Sequence, residues 1–323
     1  MLVATVANPD VFDIPKDDRH HAAMARQYLE AVAANGVLLT HSLKALRGKL
    51  VDAAEKAPWQ VRIEIEELLE QNDQPATKRI IACALDRLGV EGDSDAAAIA
   101  LADHVNADAA VLSVGASPRE TDSRDRLTEA FSLPDYQDSQ VRSLQGGYLK
   151  GWGDFDTLPE ATRGDLIGRA TRYTKWIRFY DAYIGKTNGL GLAAWGKGLH
   201  YILKHWEDSA YFHPRQKGRV DIFTQYSGSG DPAGDVQRIQ SRLLNPLESE
   251  FGMDISIHLK LDYDGLMHKR YVQTQSIAFS VDPGLDMFRR GHPKSRDFKP
   301  CSVKLELDAT DRLCRIRALG DVV

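Results

Sequence analysis

The chain has 323 residues, 43% of them hydrophobic, which is enough to bury a full core and favours two domains. No apolar run approaches the roughly 18 residues of a spanning helix, and the opening "MLVATVANPDVFDIPKDD" lacks the basic-then-apolar order of a secretory leader, so neither is expected. The net charge of −5 hides an uneven spread: residues 1–150 carry 16 Lys+Arg against 24 Asp+Glu, and the rest carry 25 against 22. An acidic first part is thus followed by a mildly basic one.

The first part reads as helical from Asp17 to about Arg87. "HHAAMARQYLEAVAANG" sets Ala23, Tyr28, Leu29 and Val32 near one face and ends at Asn35-Gly36, a helix-stopping pair. "VLLTHSLKALRGKLVDAAEKA" opens with a strand-like run and continues as a helix that Ser42 can cap. "PWQVRIEIEELLEQN" starts on proline with acids in its first turns, as helix starts prefer. "AAAIALADHVNADAAVLSVG" gives a helix, a turn at Asn106–Asp108 and a short apolar strand. Helix followed by buried strand predicts an α/β domain with a parallel sheet. Cys83, Cys301 and Cys314 are widely spaced and odd in number, so they are expected to be structural, in a reducing cytoplasm.

That last stretch resembles the C-terminal part of PIN-like nuclease domains, whose gathered carboxylates hold divalent metal. The resemblance covers about residues 1–120. It would match Asp93 or Asp95 to the helix-start acid and Asp13 in "VFDIP" to the acid after the first strand. Where the family has an acid in its second helix, "HSLKALRGKL" offers Lys44 and Arg47; after the final strand stands Val114. A degenerate PIN-like scaffold, or another α/β fold, is therefore expected over residues 1–118 rather than a working metal site.

Residues 119–164 read as a junction: "SPRETDSRD" is polar, and "QGGYLKGWGDFDTLPE" is rich in glycine and aromatics, with Tyr148 and Trp152 as anchors. Beyond it, "TKWIRFYDAYIGK" predicts a strand with Trp176, Arg178 and Tyr180 on one face. "GLAAWGKGLHYILKHW" predicts a helix with Trp195, Leu199, Ile202, Leu203 and Trp206 in the core. "RVDIFTQYS" predicts a second strand, and "DVQRIQSRLLNPLESEFG" a helix that Pro246 should break or bend. "MDISIHLKLD" alternates Ile255, Ile257, Leu259 and Leu261 against Ser256, His258 and Lys260. "MHKRYVQTQ", "SIAFSVD" and "CSVKLELD" complete the strands. "YSGSGDPAGD" is a loop without the lysine of a nucleotide-binding P-loop. Basic clusters in "RGDLIGRATRYTKWIR", "HPRQKGR" and "RRGHPKSRDFK" suit a phosphate-bearing partner or an ordinary solvated face.

In "IRFYDAYIG", "HKRY" and "DPGLDMF" the chain resembles the phospholipase-D-like domain found C-terminal to microtubule-interacting-and-transport domains and in bacterial defence-associated proteins. The resemblance covers about residues 165–310 and implies a mixed-sheet α/β domain over 165–323. It implies a metal-independent, cofactor-free phosphodiesterase in which His268 attacks phosphorus and Arg270 stabilises the phosphoryl charge. Arg270 follows His268 by two residues, so both share a strand face if the segment is extended. Asp286 stands where active members have an asparagine that orients the histidine. Lys269, Asp181, Tyr183, Lys186 and His258 are expected around the phosphate, with His258 as an outer or surface group. Asp181 either faces the site or pairs with Arg178 or Lys186. Only one His-x-Arg motif occurs, so catalysis would need a homodimer to supply the second histidine. Gln273 and Gln275 replace the acid of the enzymatic motif, and Arg270 its lysine. The expected partner is nucleic acid, in anti-phage defence, with a partner protein possible through the first domain. The alternative is a non-catalytic module gripping nucleic acid or, less favoured, anionic lipid headgroups. A third reading leaves His268 on a hairpin surface with no phosphate role.

Overall fold

All five residues of β1, Val3–Ala7, are buried, as in a strand covered on both faces. The computed structural model describes residues 3–15, 17–73, 77–83, 94–114, 129–149, 155–184, 189–212, 218–225, 231–260, 270–282, 284 and 297–300. The chain is a mixed α/β protein of two units, Met1–Leu149 and Lys150–Val323, each with its own sheet.

In the first unit β1 is followed by α1 (Arg19–Asn35), β2 (Gly36–Thr40), α2 (Leu43–Lys56), α3 (Trp59–Asp73) and β3 (Ile80–Ala82). Then come α4 (Asp95–Val105), β4 (Ala109–Leu112), β5 (Glu129–Ser132) and α5 (Gln140–Leu149). The sheet runs β3-β2-β1-β4-β5 with every pair parallel. Its order reverses between β1 and β4, so their carboxyl ends form a topological switch point. The apolar stripes of α1 (Tyr28, Leu29, Val32), α2 (Leu46, Leu50) and α3 (Ile65, Leu68) join Leu38, Val111 and Phe131 in one core.

The caps follow the sequence. Ser42 Oγ accepts the Ala45 N–H at 3.2 Å, Ser94 Oγ accepts that of Ala97 at 3.2 Å, and Asn106 closes α4 in the left-handed conformation at φ 52°. Gly36 acts differently from the left-handed stop its Asn-Gly setting suggests. It is extended (φ −108°), and a Cβ there would lie 2.7 Å from Val32 Cα, so close approach of strand to helix demands glycine.

Two expectations are corrected. The helical reading of 17–87 is interrupted by β3, whose three residues are too few to show a period. β5 and α5, expected within the junction, belong to the first unit, because β5 pairs with β4 over Ala109–Leu112.

The second unit contains α6 (Glu160–Thr171), β6 (Trp176–Tyr180), α7 (Gly189–Ser209), β7 (Arg219–Gln225) and α8 (Pro232–Ile239). A π-helical turn, Gln240–Leu244, leads into α9 (Asn245–Phe251). Then follow β8 (Asp254–Lys260), β9 (Tyr271–Thr274), β10 (Ala278–Asp282) and β11 (Asp297–Pro300). The sheet order is β11-β10-β9-β6-β7-β8, with β6, β7 and β8 parallel and β9 to β11 antiparallel. Both parallel crossovers step the same way, so right-handed connections put α7 and α8–α9 on one face.

The helix is interrupted at Pro246 as expected: a π turn separates α8 from α9, and the proline sits in the first turn of α9, where its missing N–H is tolerated. β6 is shorter than expected, ending at Tyr180 before a turn. The expected strand "CSVKLELD" lies outside the described residues. Among the described residues no helix is long and apolar enough to cross a membrane.

Candidate functional site

At the carboxyl end of β6 the chain turns, and the Asp181 N–H donates to the Phe223 carbonyl of β7 at 3.0 Å. The Asp181 side chain is fully buried, and its Oδ1 accepts the Tyr183 N–H at 2.9 Å, an Asx turn that fixes the carboxylate. β9 pairs with β6 through Tyr271 opposite Tyr180, which sets the preceding Arg270 beside Asp181. Arg270 Nε lies 3.5 Å from Asp181 Oδ2, and its guanidinium carbon lies 4.7 Å from the Tyr183 ring centroid. Asp181 thus faces the site beside Arg270, one of the two readings the sequence left open, while Arg178 goes elsewhere. Register explains the choice, since Arg178 sits opposite Asp221 and turns to that carboxylate at 3.8 Å.

Gly284, two residues beyond β10, completes the cradle. Gly284 has φ +137°, and a Cβ on it would lie 3.0 Å from Arg270 Cδ and 3.1 Å from both Arg270 Nε and Asp181 Oδ2. Only glycine fits both the backbone and the space. Gly284→Ala is expected to cost about 1–3 kcal/mol, read as a lower melting temperature, and to loosen the arginine.

Of the residues expected at the site, the structure brings Arg270, Asp181 and Tyr183 together. His268, Lys269, Asp286 and Lys186 lie outside the described residues. β9 begins at Tyr271, so Arg270 sits at the strand's mouth and not within it. Gln273 and Gln275 are both buried in structural roles: Gln273 accepts from Tyr180 Oη at 3.0 Å, and Gln275 binds the Tyr173 carbonyl at 2.8 Å.

His258 lies on β8, next to Phe223, whose carbonyl accepts the Asp181 N–H. Its Nε2 meets Asp221 Oδ1 at 2.9 Å, and its ring stacks on Phe223 at 4.6 Å between centroids. Asp221, which the sequence reading passed over, is nearly buried and also takes Arg219 at 3.0 Å. Alternation along "RVDIFTQ" was the available signal, since it sets Asp221 and Phe223 on one face. Burial alone would raise the Asp221 carboxyl pKa, but hydrogen bonds from His258 and Arg219 outweigh it and hold the pKa below the usual value. A carboxyl lowered on folding stabilises above its unfolded pKa near 3.9 and loses that contribution as pH falls through the folded value. The melting-temperature gap between the native chain and Asp221→Asn should therefore narrow as pH drops below about 4.

At the switch point of the first unit, the residue directly after β1 is Asn8, not the expected Asp13. Asp13 is exposed and ends a short 3-10 turn, Pro9–Phe12. Asp95 Oδ1 accepts from Asn8 Nδ2 at 2.8 Å and from the Ser113 N–H at 2.8 Å. Arg47 ties α2 to Asp73, and Val114 is exposed. Asp93 lies outside the described residues. Among the described residues, no group of three or more His, Cys, Asp or Glu side chains is placed to hold a metal. Cys83 is buried, and burial pushes its thiol pKa up to about 12, which leaves it unreactive.

No family model matches this chain, and no curated protein matches it significantly.

Proposed function

We propose that the second unit is a phospholipase-D-like phosphodiesterase that cleaves nucleic acid without a metal, with His268 as nucleophile and Arg270 as phosphate clamp. The observation that carries this reading is the Arg270 cradle. A guanidinium fixed by a buried carboxylate, an aromatic ring and a positive-φ glycine has lost its rotamer freedom before any ligand arrives. A guanidinium held this way presents a pre-set fork to phosphoryl oxygens. In the reaction, a His268 nitrogen bonds to phosphorus as the P–O bond to the leaving group breaks. The leaving oxygen takes its proton from a second histidine, and water then hydrolyses the phosphohistidine. A twofold-related copy supplies that second histidine in a homodimer. Asp286 orients the nucleophile by accepting its other ring N–H, and Lys269 and Lys186 add positive charge.

The first unit, in this proposal, is a degenerate PIN-like scaffold; the all-parallel sheet and the Asp95 carboxylate already occupied by Asn8 and Ser113 support that. Its acidic surface suits a partner protein. The cytoplasmic setting rests on the few, widely spaced cysteines, and the role in anti-phage defence on the sequence resemblance.

The Asp181–Arg270 pair favours a second reading as well. A carboxylate that offsets the arginine's charge suits a reversible grip on phosphate as much as turnover. The test is cleavage of labelled single- and double-stranded DNA and RNA in EDTA by the native chain and His268→Ala. Chelator-resistant cleavage lost in the variant supports the enzyme. Binding by both without cleavage supports the grip, and cleavage abolished by EDTA moves the activity to a metal site.

A further inference from the structure

We propose that the groove between α7 on one side and the π turn with α9 on the other binds a free single-chain amphiphile with an anionic head, a fatty-acid carboxylate or an alkyl phosphate. It stands on residues outside the Arg270 cradle and is independent of it.

Small residues open the groove. Ala193 and Gly196 line it from α7 and Pro246 from α9, and Leu192, Leu243 and Leu247 form its floor. A Cβ on Gly196 would lie 3.3 Å from Leu243 Cδ1, so a larger residue there would crowd that floor. The π turn, Gln240–Leu244, supplies Arg242 and Leu243 to the wall facing α7, and such turns recur at functional sites. The groove holds about 560 Å³ and is open to solvent, within the roughly 300–1,000 Å³ usual for small-molecule clefts.

Charge selects the head. Lys197 and Arg242 line the groove, both exposed, and neither has a side-chain partner among the described residues. Glu250, the one carboxylate among the described lining residues, is already engaged by His200 at 2.8 Å, a contact that ties α9 to α7. An apolar bed thus lies beside two cations that have no anion of their own. An alkyl tail takes the bed out of water, and a carboxylate or phosphate meets both cations with charge-assisted hydrogen bonds. A neutral alcohol leaves the cations unmet, and a cationic head is repelled by them. The ligand is a free molecule and not a bilayer. Among the described residues no large hydrophobic side chain of the second unit is exposed, so nothing around the groove would enter a membrane.

The test is calorimetric titration of the full chain with decanoate, decyl phosphate, decanol and decyltrimethylammonium, each below micelle formation. Decanoate and decyl phosphate are expected to bind, and decanol about tenfold more weakly, the combined worth of two exposed ion pairs. The ammonium should not bind. Affinity should rise about two- to fourfold per methylene from octanoate to decanoate. Ala193→Trp, at an exposed helix position, fills the groove and should abolish binding while the chain melts as before. Lys197→Glu combined with Arg242→Glu keeps the floor and should reverse the preference, taking decyltrimethylammonium over decanoate. His268→Ala should bind decanoate as the native chain does, which separates this site from the proposed phosphodiesterase. Equal affinity for decanoate, decanol and decyltrimethylammonium would overturn the proposal. So would no binding of any amphiphile, or an Ala193→Trp variant that binds as the native chain does. Pelleting with phosphatidylglycerol vesicles that the charge-reversed variant loses would also overturn it, since a bilayer would then be the ligand.

Discussion

Replacing Arg270 by alanine is expected to lower phosphodiester turnover by at least about 100-fold, the usual cost of removing one pre-organised donor to developing charge. It should also destabilise the fold. Asp181 is fully buried, and the variant takes away the cation 3.5 Å from its carboxylate. Breaking a buried pair from one side costs about 3–5 kcal/mol, mostly the burden of the charge left behind. Asp181→Asn added to Arg270→Ala should recover much of that stability and none of the turnover. Arg270→Lys keeps the charge but loses the planar fork, and should fall between the native chain and Arg270→Ala in turnover. Thermal melts with steady-state rates separate the two effects. A double variant no more stable than Arg270→Ala would show that the pair does not hold this corner together.

Arg79→Ala is expected to be the most damaging change in the first unit, though it lies far along the sheet from the switch point. The Arg79 side chain is fully buried before β3, and its Nη1 and Nη2 donate to the carbonyls of Gly36 and Ala34 at 3.3 Å each. Those carbonyls close the carboxyl end of α1, where unpaired C=O groups and the helix dipole both favour a cation. Burial pulls the guanidinium pKa down to about 9, which still leaves it charged at neutral pH. Alanine would leave two carbonyls without these donors and a void behind them, about 3–5 kcal/mol in all. Arg79→Met fills the volume without the hydrogen bonds and should lose about half as much. Calorimetric melts of the two variants, expected roughly 10 °C apart from the native chain for alanine, check this directly. A shift within about 2 °C would mean that α1 does not depend on Arg79 for its end.

The long helices were legible because period and cap agree: Tyr28, Leu29 and Val32 share a stripe, and Ser42 caps as its position suggests. β8 was legible from its alternation, and β7 as a short strand-forming run. β3 and β5 were not, since three or four residues carry no period and a parallel partner lies far along the chain. The same limit governs the site. Residue types marked Asp181, Tyr183 and Arg270 as candidates, but the β6–β9 register chose which cation meets Asp181, and no local pattern encodes that register. Arg79 reads as a surface residue in "TKRIIA", and Asp221 as one polar step in a strand; their burial is a property of the packed sheet. Asn8 was hidden by the exposed acids that follow it, because the end of β1 is set by its pairing with β4.

The most direct test of the central claim is to trap the covalent intermediate. The native chain is mixed with an oligonucleotide labelled at one end or the other, quenched in alkali and run on a denaturing gel, because phosphohistidine survives base and is lost in acid. The account predicts a labelled protein band that forms in EDTA, disappears on acid treatment, and is absent from His268→Ala. Cleaved product with no such band under conditions of full turnover, or a band unchanged in His268→Ala, would contradict it.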